Sequence, residues 1–308
     1  MRIRYRRHRA LAFRSHDSAR TFCDGRNVDA PLPLPAINCT NRYHVPATRI
    51  DMRLALMVVA MLAAPAMAFA QADEIQVYDG GLAPVGIFNL ALHNNLVAKG
   101  LTTPAFPGAV VADQSFNGVL EWALGVTHWF EAGLYLPLYS RDKNSGWGLD
   151  GVKLRALLAV PNRDDRTFIY GANFEFSYNA TRWDTTSFTS EIRPILGWHL
   201  KPVDIIINPI IDTSYDGFGN LEFVPAARVA YNFKSGWAVA VEAYADFGTF
   251  HDFASPSEQA HQLYGVVDRS WKGWDIEAGI GFGVTDASDR LTFKLILAHD
   301  LNKREARK

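Results

Sequence analysis

Apolar and polar residues alternate one by one through most of the chain. In "FIYGANFEFSYN", Phe168, Tyr170, Ala172, Phe174, Phe176 and Tyr178 share one parity, while Ile169, Gly171, Asn173, Glu175, Ser177 and Asn179 share the other. Successive side chains of a strand point to opposite faces, so this segment predicts one amphipathic strand with an aromatic face and a small, polar face. "GWAVAVEAYADFG" sets Trp237, Val239, Val241, Ala243, Ala245 and Phe247 against Glu242, Tyr244 and Asp246. "GWDIEAGIGFGVT" sets Trp274, Ile276, Ala278, Ile280, Phe282 and Val284 against Asp275, Glu277, Gly279, Gly281, Gly283 and Thr285. No segment after residue 70 sustains a helical period.

The pattern predicts twelve strands, at 84–97, 115–126, 130–140, 151–160, 168–179, 188–200, 203–213, 221–232, 237–250, 260–269, 274–285 and 290–301. Alternation is poorest in the tenth, around Leu263 and Val267. A soluble β-sandwich also alternates, but its strands run to about 5–6 residues. These approach the ~9–11 that cross a bilayer at a tilt. The connections alternate as well. Those after the second, sixth, eighth and tenth strands are tight ("THW", "KP", "FKSG", "SWKG"), and those after the first, third, fifth, seventh and ninth are longer. "PNRDDRT" after the fourth strand is long for a turn, and "ASDR" after the eleventh is short for a loop. The expected fold is all-β: a closed antiparallel transmembrane barrel with short periplasmic turns and longer extracellular loops.

Five of the eight tryptophans, Trp129, Trp198, Trp237, Trp271 and Trp274, sit beside short turns. Indole favours the membrane–water interface, so these predict a periplasmic aromatic girdle. The polar faces then line the lumen. They carry Glu121, Glu131, Lys153, Arg155, Glu175, Glu191, Arg193, Asp212, Glu222, Arg228, Glu242, Asp246, Glu277 and Lys294. Hardly any charge falls outward in mid-strand, where Arg or Lys costs ~2–4 kcal/mol. Turn centres set the expected registers. A turn centred on Ser235 pairs Arg228 with Glu242, one centred on Asp164 pairs Lys153 with Glu175, and "KP" places Glu191 opposite Asp212. Such charges either brace a narrow barrel or form a polar constriction for solutes. Gly279, Gly281 and Gly283 leave a bare inward strip, which suits close approach of a ligand or another backbone. The segment "QADEIQVYDGGLAP" could supply that backbone, or could form a periplasmic tail.

The start of the chain is different. "MRLALMVVAMLAAPAMAFAQADE" has a basic start, a short apolar run and small residues at Ala68 and Ala70, the order of a secretory signal peptide. Cleavage is expected between Ala70 and Gln71. Residues 1–51 hold ten arginines and no lysine, without apolar period. They are expected to precede the true initiator, Met52; a long export presequence is the alternative. The domain plan is 52–70 signal, 71–83 periplasmic N-terminal segment, 84–301 barrel and 302–308 tail. Both cysteines, Cys23 and Cys39, precede the cut, so no disulfide framework is expected. Residues 71–308 hold 20 basic and 28 acidic residues, a net charge of −8, which disfavours nucleic acid.

"EIQVYDGGLAPVG", "EIRPILGW", "VEAYADFG", "GVVDRSWKGWDIEAGIGFG" and "TDASDRLTFKLILAHDL" resemble proteobacterial outer-membrane barrels labelled putative transporters or "meta-pathway of phenol degradation" proteins. The resemblance spans nearly all of 71–308. It implies a passive channel for small solutes, aromatic or apolar ones among them. Barrels of this kind often end on an aromatic residue, whereas this chain ends "LNKREARK". The expected partners are outer-membrane lipid, a small solute and the barrel-assembly machinery. A structural barrel plugged by its charges is the alternative. A lipid hydrolase is a lesser one, because His93, His199, His261 and His299 have no matched outward serine and acid. No metal-binding spacing occurs, and neither metal nor cofactor is expected.

Overall fold

The computed structural model describes residues 74–302. The expected cleavage site, the signal, residues 1–51 and the end of the tail lie outside them. Twelve antiparallel strands close into a barrel. They are β1 (Phe88–Lys99), β2 (Ser115–Gly125), β3 (Phe130–Asp142), β4 (Gly146–Ala159), β5 (Phe168–Asn179), β6 (Phe188–His199), β7 (Val203–Asn208, then Ile211–Thr213), β8 (Glu222–Phe223, then Ala226–Asn232), β9 (Trp237–Asp246), β10 (Ala260–Trp271), β11 (Trp274–Gly283) and β12 (Leu291–Asp300). Closure is made by β1 and β12, in register from Asn89↔Asp300 to Leu96↔Phe293. A closed ladder leaves no unpaired edge, which lipid would not tolerate.

Breaks in the ladder have local causes. Pro209 and Pro225 lack an amide donor and interrupt β7 and β8. Around Leu136 and Pro137 the β3–β4 register shifts, and the extra length bulges out of the ladder. The connections of one end are short (126–129, 200–202, 233–236 and 272–273), with 160–167 longer and built around a 3-10 turn at Arg163–Asp165. Those of the other end include 100–114, 180–187, 214–221, 247–259 and 284–290. The connection after β3 was expected to be a long loop but is tight. There Asp142 accepts hydrogen bonds from the amides of Asn144 and Ser145, both at 2.6 Å, so β3 and β4 run on to the turn.

The faces of the sheet differ. Outward positions are apolar and exposed, among them Leu154, Phe174, Phe176, Val241, Ile280 and Phe282. Inward positions hold buried charge, among them Glu131, Arg155, Glu175, Arg193, Glu242 and Lys294. Residues 74–83, assigned above to a periplasmic segment, enter the lumen instead, with Ile75, Val77 and Tyr78 buried there. Apolar side chains gain about 25 cal/mol per Å² of surface removed from water, and the lumen is the nearest place to hide them. Val77 packs among Val160, Ile169, Ile206, Ile210 and Ala226, and Ile75 among Ala230, Ala240, Tyr264 and Val266.

Candidate functional site

The lumen is organised around the N-terminal segment. Its backbone is held by side chains of the wall. Asn208 accepts from the Tyr78 amide at 2.7 Å and donates to the Tyr78 carbonyl at 2.9 Å. Arg193 donates to the Gln76 carbonyl at 2.9 Å, Lys294 to the Ile75 carbonyl at 3.1 Å and Arg163 to the Asp79 carbonyl at 3.1 Å. The Ala83 amide donates to Glu131 at 2.5 Å. The segment joins no sheet ladder, so polar side chains supply the partners its buried peptide groups require.

On the wall of β1 to β4, Arg155 bridges two acids, Glu121 at 2.5 Å and Glu131. His93 reaches Glu121 at 3.1 Å. Tyr78 and Tyr135 share a hydrogen bond at 2.5 Å, and Arg155 lies over both rings at 5.6 and 5.9 Å. Across the lumen, Arg228 pairs with Glu242, its direct cross-strand partner, and with Asp268, and reaches Glu277 at 3.4 Å. Lys294 joins Glu242 at 2.5 Å and Glu277 at 2.6 Å. Tyr244 donates to Glu242 at 2.7 Å. Each network nearly balances its charges, as buried ions must.

Further toward the long loops, Glu175, Glu191, Asp212 and Glu222 face one another in turn across β5, β6, β7 and β8. Arg193 holds Glu191 through two bonds, of 2.6 and 3.0 Å. Lys153 reaches Glu175 at 3.4 Å, but not as its direct partner: Lys153 faces Ser177, and Arg155 faces Glu175. The expected register was wrong because the turn centres on Asp165, one residue later than supposed, and a one-residue shift moves every partner by two. Asp246 takes the Gly248 amide at 2.8 Å, below the rim.

The glycine strip has a different neighbour from the one considered. A Cβ on Gly281 would meet the Tyr264 ring at 2.2 Å, and one on Gly279 the Lys294 chain at 3.0 Å. The glycine that admits the N-terminal segment is Gly125, where a Cβ would lie 2.2 Å from the Ala83 carbonyl. Tyr78, Tyr135, Asn208 and Asp268 belong to the site but escaped the sequence reading, and His93, weighed there only for a hydrolase, lies buried beside Glu121. Asp268 could have been found from its inward parity with Tyr264 and Val266.

Trp129, Trp198, Trp237, Trp271 and Trp274 are all exposed at the ends of strands beside the short turns. Trp198 packs on Phe168, and Trp274 stacks on His299 at 4.8 Å. At the opposite end Phe116, Tyr139 and Trp147 form a second aromatic group. The ring nitrogens of His199, His261 and His299 bond Asp204, Gln259 and the Gly273 carbonyl. No arrangement able to hold a metal ion occurs among the described residues.

Two cavities flank the N-terminal segment. One, of about 550 Å³, extends from Glu74 and Gln76 past Glu191 and Asp212 to the loop residues Phe106 and Trp183. The other, of about 240 Å³, lies among Gly81, Leu82, Thr127 and Arg163 at the short-turn end. Residues 74–83 stand between them.

No protein-family model and no curated protein matches the sequence. Solved structures do. An outer-membrane channel from Pseudomonas putida F1 superimposes with a TM-score of 0.51 at 12% identity, over 74% of this chain and 100% of that one. The NanC porin gives a TM-score of 0.47 at 10% identity over 70% and 100% of the two chains. The KdgM porin, solved in complex with disordered oligogalacturonate, gives 0.44 at 9% over 68% and 98%. The closed barrel of twelve antiparallel strands, with short turns at one end and longer loops at the other, shares the β-barrel fold of the outer-membrane channel from Pseudomonas putida F1.

Proposed function

We propose that this chain is a passive outer-membrane channel for small solutes, closed at rest by its own N-terminal segment. The observation that carries this is the pair of cavities, about 550 and about 240 Å³, separated by residues 74–83 rather than by the wall itself. The separating segment is tied by hydrogen bonds and ion contacts to side chains, not by a continuous sheet ladder. Such a plug is cheaper to move than a strand. A signal peptide ending at Ala70 and an assembly-machine partner in the periplasm fit this role. Short turns then face the periplasm and long loops the outside. Membership of the phenol meta-pathway type of barrel, and an aromatic or apolar solute, follow from the motif resemblance.

The alternative is a structural barrel. The dense pairing around Arg155, Arg228 and Lys294 favours it, since such networks brace a lumen whether or not solutes pass. Planar-bilayer conductance separates the two. The refolded chain 71–308 should show small, infrequent steps, and the same chain lacking residues 71–79 should show steps several-fold larger. Silence from both proteins would favour the structural barrel.

A further inference from the structure

Glu175, Glu191, Asp212 and Glu222 form an unbroken row of cross-strand carboxylates: Glu175↔Glu191, Glu191↔Asp212 and Asp212↔Glu222. Like charges directly opposite in a sheet are destabilising, so three consecutive acid pairs work against the fold. Cations answer only half of the row. Lys153 serves Glu175 and Arg193 serves Glu191, while Asp212 and Glu222 have no lysine or arginine partner among the described residues. One Asp212 oxygen is buried without a hydrogen bond among the described residues. An independent element repeats the shortfall. Glu74, on the plug, is 92% buried (8% exposed), lines the same cavity, and has no hydrogen-bond partner among the described residues on either carboxylate oxygen.

Resting on the channel reading, we propose that the outer cavity is a binding site for linear polyamines, with the acid row as its recognition surface and Glu74 as its floor. Strand spacing decides the shape of the ligand. Neighbouring strands are ~4.8 Å apart, so three steps spread the four carboxylates over roughly 14 Å. That is too wide for a single metal ion, and no metal-holding cluster occurs among the described residues. It suits a flexible chain whose ammonium groups are a few methylenes apart. Ammonium groups would meet Asp212, Glu222 and Glu74, the carboxylates without a basic partner among the described residues, and Tyr244 on the neighbouring strand β9 lines the same cavity. A cavity of about 550 Å³ also lies within the ~300–1,000 Å³ of ordinary ligand sites. A polyamine held there would face the plug, whose Glu74 it would neutralise.

Isothermal titration of the refolded chain 71–308 in detergent with spermidine tests the proposal, with magnesium and an uncharged diol as comparison probes. The expected result is saturable spermidine binding, weakened at least tenfold by Asp212→Asn plus Glu222→Gln, with magnesium binding weaker and the diol not at all. The same pair of substitutions should raise the urea midpoint, because it removes like-charge repulsion. Glu222→Gln alone, at a half-exposed position, should weaken binding several-fold, with an unchanged far-UV circular dichroism spectrum as the control for the fold. Absence of saturable binding would overturn the proposal. So would binding unchanged in the variants, or magnesium binding as tightly as spermidine. Titration needs no conductance, so a barrel that binds spermidine yet passes no current would refute the channel and leave the site standing.

Discussion

The Asn208 side chain holds Tyr78 by both of its peptide groups, accepting from its N–H at 2.7 Å and donating to its carbonyl at 2.9 Å. One side-chain amide thereby does the work of a strand partner, 130 residues away in sequence. It is the most specific tie between plug and wall.

Removing that tie should loosen the plug without unfolding the barrel. Two hydrogen bonds contribute about 1 kcal/mol each, so Asn208→Ala should weaken docking by about 2 kcal/mol. At 1.4 kcal/mol per factor of ten, the undocked fraction should rise roughly 30-fold. Open probability in single-channel recordings checks this, with the urea midpoint of the barrel as control. An unchanged open probability would mean that the plug does not gate.

Arg228 and Glu242 should prove energetically coupled. Each is directly opposite the other and buried, and each has further partners: Asp268 and Glu277 for Arg228, Lys294 for Glu242. Arg228→Ala and Glu242→Ala should each lower the urea midpoint. The shared network limits each loss to less than the 3–5 kcal/mol of an isolated buried pair. The double variant should cost less than the sum, by about 0.5–3 kcal/mol. Strict additivity would contradict the contact.

Sidedness is testable with protease sites. One inserted at Asn144, in the tight β3–β4 turn, should be cut on intact cells. One inserted between Lys234 and Ser235, in the β8–β9 turn, should be cut only after the outer membrane is opened. The reverse pattern would place the tryptophan girdle outside.

Processing is testable by N-terminal sequencing of the membrane-extracted protein, which should begin at Gln71. With Glu74 already inside the lumen, a cut after Ala70 leaves three residues ahead of it. Detection of any residue before Met52 would refute the expected start.

Much of this molecule is local, and so was legible in the sequence. A strand has a period of two, so parity alone separated Phe174 and Val241, which face out, from Glu175 and Glu242, which face in. Tight turns carry register with them, and a turn centred on Ser235 suffices to pair Arg228 with Glu242. The longer turn at 160–167 hid its centre, and Lys153 was given the wrong partner for that reason. Closure decided the rest. Lys294 meets Glu242 across 52 positions, and Arg155 gathers Glu121 and Glu131, because the curved wall turns its inward faces toward one another. The path of residues 74–83 was likewise beyond the sequence. A single apolar segment has no period that distinguishes a tail from a plug, and only the formed lumen, with Asn208, Arg193 and Lys294 at its wall, supplies the partners that draw it inside.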